Sequence, residues 1–139
     1  MKNPLKMAVA TTVLVLGSTL PMMAQIDNSL DFTASFPFYA GSAKMPAGSY
    51  RVSQPDTDTQ EVLIQSADGK HSAFVEFVPT RSEEPHQKSD VTFHRYGSVD
   101  YVNRIWVQGQ RYGMKVDPTP AELKLATSTA VVEHSVSSN

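Results

Sequence analysis

The feature that most constrains this chain is an alternation of apolar and polar residues that recurs between closely spaced turn signals. It is clearest from Leu30 to Phe38, where every second residue is apolar and would face one side of a β-strand. Glycine, proline and aspartate interrupt such stretches about every 10–15 residues, which leaves no room for the long connecting helices of a parallel α/β fold. The sequence therefore predicts a small all-β domain, mainly antiparallel, folded as a β-sandwich or a β-barrel.

Later segments continue this pattern and are predicted as strands: residues 49–54, 61–66, 71–78, 91–96 and 101–108. Asp68-Gly69 lies between two of them and supplies the positive φ of a tight hairpin. Residues 40–48 contain two glycines and a proline and are predicted as a loop. Residues 79–90 are polar and are predicted as an exposed, flexible loop.

One short helix is predicted near the C-terminus. Thr119 occupies the N-cap position, Pro120 the first helical position and Glu122 the third, which is the pattern of a capping box. We expect the helix to end near residue 126. Residues 127–139 are rich in serine, threonine and valine and are predicted as a flexible tail, in which Val131-Val132 is the one candidate for a last short strand.

The N-terminal segment, residues 1–24, has the three-part layout of a secretory signal peptide. Lys2 and Lys6 precede an apolar run, and Ala24 ends a candidate cleavage site. The run covers residues 7–20 and is shorter than the roughly 18–20 residues that span a bilayer, which disfavours the alternative of a retained membrane anchor. We therefore predict a secreted or periplasmic protein with a domain at 25–126 and no membrane span after cleavage.

Composition excludes several function classes. The chain has no cysteine, so it holds no disulfide, thiol nucleophile, zinc–thiolate site or iron–sulfur cluster. With 12 lysines and arginines against 14 aspartates and glutamates, it offers no basic surface typical of nucleic-acid binding.

Motifs that would carry catalysis are also missing. No nucleophile elbow, phosphate-binding glycine loop or paired metal-binding histidine motif occurs. Asp56, Asp58 and Gln60 match the start of a calcium loop, but the required glycine and final glutamate are replaced, so we interpret the segment as an acidic turn. Glu83-Glu84 falls in the exposed loop and is not expected to supply an acid catalyst.

Four histidines are the remaining candidates for chemistry: His71, His86, His94 and His134. Of these, only His94 with Glu76 is worth testing as a metal or acid–base pair, on strands that could be neighbours. We predict no catalytic, cofactor-binding or metal-binding residue, and no cofactor.

Aromatic residues are numerous and are interpreted mainly as core, with a ligand-lined barrel mouth as the alternative. The set is Phe32, Phe36, Phe38, Tyr39, Tyr50, Phe74, Phe77, Phe93, Tyr96, Tyr101, Trp106 and Tyr112. Arg95, Arg104 and Arg111 recur beside the later aromatics and are expected to stack on them.

Several short segments, in their order along the chain, resemble a family of small uncharacterised exported proteins of acidobacterial-type soil bacteria. They are Phe36-Pro37-Phe38 with Gly41, Met45 to Val52, Phe93 to Gly97, Tyr101 to Trp106 with Gly109, and Thr119 to Ala126. The resemblance implies a β-rich exported module and brings no agreed activity and no functional residue.

The sequence therefore favours an exported, non-catalytic β-domain that acts by binding or as an envelope accessory. A carrier of a small apolar ligand in a barrel interior is one alternative, and a hydrolase or metal-dependent enzyme is another.

Overall fold

The structure is a computed structural model that describes Ile26 and residues 29–139. Within these residues the chain forms strands and one short helix: β1 (Leu30–Ala34), β2 (Phe38–Ala40), β3 (Ala43–Met45), β4 (Gly48–Ser53), β5 (Glu61–Ser66), β6 (Ser72–Arg81), β7 (Asp90–Tyr96), β8 (Val99–Trp106), β9 (Tyr112–Val116), α1 (Pro120–Ser128) and β10 (Val131–Ser137).

All of these strands belong to one mixed sheet. The ladder runs β1-β4-β5-β6-β9-β8 and branches at β8. Along its whole length β8 pairs with β7, and near its beginning it pairs with β2 at Tyr101. β7 then pairs with β10, and β2 with β3. The pairings are antiparallel apart from β2–β8, where Tyr39 lies opposite Tyr101 in a parallel bridge. The prediction of an all-β, mainly antiparallel fold is confirmed.

The two ends of this strand order meet at the C-terminus of the chain. The backbone N–H of Asn139 donates to the carbonyl of Asp31 over 2.9 Å, and the Asn139 amide Nδ2 donates to Thr33 Oγ1 over 3.1 Å. No ladder joins β1 to β10 in the described residues, so the sheet is not closed.

One face of the sheet is apolar and filled with large side chains. β6 alternates as the sequence predicts, with Ala73, Val75 and Phe77 buried and the residues between them exposed. The largest fully buried side chains are Phe32, Phe38, Phe77, Phe93, Met45, Ile64, Ile105 and Met114. Their rings contact one another, with the centroids of Phe32 and Phe93 6.2 Å apart and those of Phe38 and Phe93 5.3 Å apart. These rings form the core.

The segment predicted as a loop at 40–48 instead contains the β2–β3 hairpin and the start of β4. Gly41 has a φ of +60°, which lets the chain reverse within two residues. Phe38 and Met45, directly opposite each other, are both buried. The prediction failed because each strand has only three residues, too few to show a period.

The segment predicted as a flexible tail, residues 127–139, contains β10. All seven residues of β10 pair with β7, from Val131 opposite Tyr96 to Ser137 opposite Asp90. The domain therefore extends past the expected boundary at residue 126. Val136 packs against the core from this strand.

The segment at 79–90 is also more ordered by hydrogen bonds than predicted. β6 continues to Arg81, so that Pro79 lies within the strand opposite Met114. Beyond it, the Ser82 N–H donates to the Arg111 carbonyl over 2.8 Å, and the His86 N–H donates to the Gln110 carbonyl over 3.1 Å.

The predicted helix is present as α1, and its N-cap is the predicted one. Thr119 Oγ1 accepts a hydrogen bond from the Glu122 N–H over 3.2 Å, and proline begins the helix. The predicted signal peptide at 1–24 lies outside the described residues. Among the described residues, α1 is far too short and polar to cross a membrane, and no other helix qualifies.

Candidate functional site

A buried carboxylate joins three strands at one point of the sheet. Asp100 on β8 is 2% exposed and accepts hydrogen bonds from Arg95 on β7, with Arg95 Nη2 3.0 Å from Asp100 Oδ2. His134 Nε2 on β10 lies 2.6 Å from Asp100 Oδ1. Because an ionised carboxylate only accepts, Nε2 carries the hydrogen in this contact. We call Arg95, Asp100 and His134 the Asp100 cluster.

Two phenylalanine rings hold the Asp100 cluster in place. The His134 ring lies against Phe36, with centroids 4.8 Å apart, and stacks on Phe93 at 5.6 Å. The Arg95 guanidinium lies 5.4 Å from the centre of the Phe36 ring, so this arginine stacks on an early phenylalanine and not on the later aromatics that the sequence indicated. Among the described residues, no hydroxyl group hydrogen-bonds to His134, so the pair lacks the nucleophile of a catalytic triad. Its chemistry is that of a neutralised structural anchor.

A group of tyrosines occupies the opposite face of β7 and β8. The rings of Tyr39 and Tyr101 stack at 5.0 Å with 19° between their planes, and Tyr96 meets Tyr101 edge-on at 6.1 Å. The Tyr96 hydroxyl donates to Glu122 Oε2 over 2.9 Å, and both residues are buried. The glutamate at the third helical position therefore anchors α1 to the sheet.

Burial keeps these phenols protonated. Burial, followed by the hydrogen bond to Glu122, raises the pKa of Tyr96 to about 12. Burial and the neighbouring Tyr39 raise the pKa of Tyr101 above its ordinary value of 10.0. At neutral pH both hydroxyl groups remain neutral hydrogen-bond donors.

A cleft of about 200 Å³ lies where the β2–β3 hairpin meets the β7–β8 turn. We call it the hairpin cleft; it is lined by Pro37, Phe38, Tyr39, Lys44, Ser98, Val99 and Asp100. Lys44 lies directly opposite Tyr39 on the hairpin, is exposed, and forms no ion pair with a residue that the structure describes. The cleft therefore combines an aromatic ring and an exposed ammonium group, and the buried Asp100 forms part of its lining.

The four histidines do not converge. His71 lies in the turn before β6, and His86 stacks on Trp106 with ring centroids 4.1 Å apart. His94 Nε2 lies 3.5 Å from Glu133 Oε2, across the β7–β10 pair. Among the described residues, no group of three or more potential metal ligands comes together.

The candidate pair of His94 and Glu76 is not brought together. β6 pairs with β5 and β9, whereas β7 pairs with β8 and β10, so the two strands are not neighbours. Glu76 lies opposite Glu61. The expectation was wrong because sequence order places β7 after β6, while β9 returns to fill the position beside β6.

The acidic turn predicted at 56–60 is present as a turn. Asp56 Oδ1 accepts from the Asp58 N–H over 2.9 Å, which is a local turn contact. A stacked arginine that the sequence analysis missed is Arg81, whose guanidinium lies 5.8 Å from the centre of the Tyr112 ring.

His134 was placed in a tail by the sequence analysis, and Asp100 was assigned no role. The available signal was the spacing of Val132, His134 and Val136, which puts the imidazole on the same strand face as two valines. Where such a face is buried, a polar side chain on it requires a hydrogen-bond partner.

Comparison with protein-family models, with curated proteins and with solved structures finds no match to this chain.

Proposed function

We propose that this protein is an exported, non-catalytic β-domain that acts by binding, and that the hairpin cleft takes a small organic anion with a flat apolar part. The carrying observation is Lys44, which forms no ion pair with a described residue, directly opposite Tyr39 in a cleft that the buried Asp100 also lines. An ammonium group next to an aromatic face recognises a carboxylate and an apolar ring together.

The surroundings of the cleft support a binding role over a catalytic one. The Asp100 carboxylate is occupied by Arg95 and His134, so it is unavailable as a general base. The proposed exported location rests on the pattern of residues 1–24 and on the resemblance to small exported proteins.

The binding proposal is tested with benzoate as the probe, titrated into ¹⁵N-labelled protein and followed by amide chemical shifts. We expect shifts confined to the hairpin cleft, around Tyr39, Lys44 and Ser98. Benzylamine, which has the same ring and the opposite charge, should cause none of them. Equal responses to both compounds, or shifts elsewhere on the sheet, would contradict the proposal.

Two lysine variants separate the cleft from general surface charge. Lys44→Ala should remove the benzoate response, because it removes the ammonium group of the cleft. Lys70→Ala is the matched control, since Lys70 is exposed in the β5–β6 turn and the net charge changes equally. A similar loss in both variants would show a nonspecific electrostatic effect.

Export is tested separately by expressing the full chain in a Gram-negative host. Mass spectrometry of the periplasmic and secreted fractions should find a protein that begins at Gln25. A cytoplasmic chain that retains residues 1–24 would contradict the proposed location.

A further inference from the structure

The outer face of β5, β6, β9 and β8 carries charges that are arranged unfavourably within one molecule. Glu61 and Glu76 lie directly opposite each other, and the Asp117 N–H donates to the Glu76 carbonyl over 3.2 Å, next in line across the sheet. We call these three residues the acidic row. On the same face Arg104 lies directly opposite Lys115. We call this pair the basic row.

Like charges directly opposite each other on adjacent strands destabilise a sheet. None of the five residues of the two rows forms an ion pair with a described residue, although Lys115 and Asp117 are only two residues apart. Arg104 Nε is buried and has no hydrogen-bond partner among the described atoms. The face therefore holds both signs of charge without an internal partner for either.

Exposed apolar side chains lie between and beside the two rows. Val78 is 42% exposed and pairs with Lys115, so it is a direct neighbour of the basic row. Phe74 is 62% exposed and lies two residues before Glu76, on the other side of the acidic row. Leu63, opposite Phe74, extends this apolar edge.

We propose that this face binds a second copy of the chain through a two-fold interface. A two-fold interface uses the same patch twice and must be self-complementary. Glu76 and Val78 lie on β6, and Lys115 lies opposite Val78 on β9. Glu76 and Lys115 therefore occupy diagonal positions, and the rotation axis runs between them and passes close to Val78. A two-fold rotation between them sets Glu76 of each copy against Lys115 of the other and brings the two Val78 side chains together. It also brings the two Asp117 carboxylates together, because Asp117 lies on the same diagonal as Val78, so the repulsion within the acidic row is only partly relieved.

The same rotation also brings an exposed aromatic ring towards a cationic side chain. Phe74 lies beyond Glu76 along β6, and Arg104 lies one strand beyond Lys115, so each phenylalanine faces the arginine of the second copy. A guanidinium over an aromatic ring is a favourable contact. Charged residues are depleted from the centres of stable interfaces, so a patch with charges at its centre favours a weak, reversible dimer. Because the interface is rich in charge, the association should weaken as salt is added.

The test is sedimentation velocity of the full chain as purified, up to about 1 mM protein. At about 0.01 M ionic strength we expect a concentration-dependent dimer, and at about 1 M a shift to monomer. Glu76→Lys and Lys115→Glu should each raise the dissociation constant about tenfold or more, because each places like charges in contact. Phe74→Ser should also weaken the dimer.

An equimolar mixture of Glu76→Lys and Lys115→Glu proteins is the decisive sample. In the mixed pair every contact between the two positions is again between opposite charges, so association should return to near the wild-type level. Recovery on mixing also shows that both variants are folded. Glu84→Lys and Lys70→Glu make the same charge changes outside the patch and should leave the dimer intact.

A wild-type protein that stays monomeric at low salt overturns the proposal. So does a mixture that associates no better than the single variants, since that result requires the dimer to use another surface. Neither result bears on benzoate binding at the hairpin cleft, which lies at the β2–β3 hairpin.

Discussion

Two arginine–aspartate pairs in this sheet have the same chemistry and opposite surroundings. Asp31 and Arg51 lie directly opposite each other on β1 and β4, and their side chains are 47% and 62% exposed. Arg95 and Asp100 lie directly opposite each other on β7 and β8, where Asp100 is 2% exposed. The difference between them is the face of the sheet that each occupies.

This difference decides how many elements each pair connects. The exposed pair joins two strands that their ladder already holds together, and water competes for both charges. The buried carboxylate also accepts from His134, and it thereby ties the last strand to the centre of the sheet. The regions differ in the same way: β1 and β4 expose one face, whereas β7 and β8 have buried residues on both faces.

The largest effect that separates the two pairs is expected for Asp100→Asn. The substitution keeps the shape of the side chain and removes the charge that Arg95 and His134 share. We expect a loss of about 2–3 kcal/mol in the free energy of unfolding, measured by urea denaturation, because hydrogen bonds to a buried charged group are lost. Amide hydrogen exchange should increase first in β10. A loss no greater than that of Asp31→Asn would show that burial does not distinguish the pairs.

The second prediction concerns the packed outer face near β9. A Cβ atom at Gly113 would clash with the six-membered ring of Trp106, which lies directly opposite Gly113. Gly113→Ala should therefore cost about 1–3 kcal/mol of stability, because overpacking forces side chains to shift. The control is the same substitution in a Trp106→Ala background, where the additional cost should be small. An equal loss of stability in both backgrounds would mean that the cost arises from the backbone at Gly113 and not from the contact with Trp106.

The third prediction uses the hydroxyl group that joins α1 to β7. Tyr96→Phe removes the hydrogen bond to the buried Glu122 carboxylate and should cost about 1–2 kcal/mol near neutral pH. In the wild-type protein, the pKa of Tyr96 is raised to about 12 from an ordinary value of 10.0. The folded protein then binds more protons than the unfolded chain, so stability falls as pH rises from about 10 to about 12.

The Tyr96→Phe protein should lose stability less steeply over that alkaline range. The measurement is thermal unfolding at several pH values, compared with Tyr39→Phe, in which the half-exposed tyrosine is changed. Identical alkaline slopes for wild type and Tyr96→Phe would contradict the assignment to this phenol.

The strands of the exposed half of the sheet could be predicted from the sequence because each of them has one face exposed to water. β6 shows the period of two over six residues, and Asp68-Gly69 marks the hairpin before it. In the buried half the sequence predicted the strands at 91–96 and 101–108, but the pattern did not show which of their residues face the core. In β8, Val102 and Ile105 both reach the core although they are three residues apart, because the register shifts at a bulge beside Asn103. Such a shift interrupts the alternation of inward-facing and outward-facing residues along the strand.

The Asp100 cluster was missed for a related reason. His134 and Asp100 are 34 residues apart in sequence and meet only because β10 pairs with β7 and β7 with β8. None of the residues of β10 is fully buried, so this strand has no clear alternation of apolar and polar residues. The hairpin cleft likewise depends on two three-residue strands and a single parallel bridge.

The smallest effect is expected at the exposed pair. The hydrogen bond from Arg51 lowers the pKa of Asp31 below its ordinary value of 3.8. The unfolded chain therefore binds a proton at higher pH than the folded protein, so the contribution of this pair is present above about pH 4 and is lost as pH falls further. Asp31→Asn should leave stability near neutral pH almost unchanged and make the decline below pH 4 slightly shallower. Adding salt should reduce even this difference, because both charges face water. Acid unfolding monitored by circular dichroism at low and high salt measures the effect. A neutral-pH loss as large as that of Asp100→Asn would contradict the small contribution expected of this exposed pair.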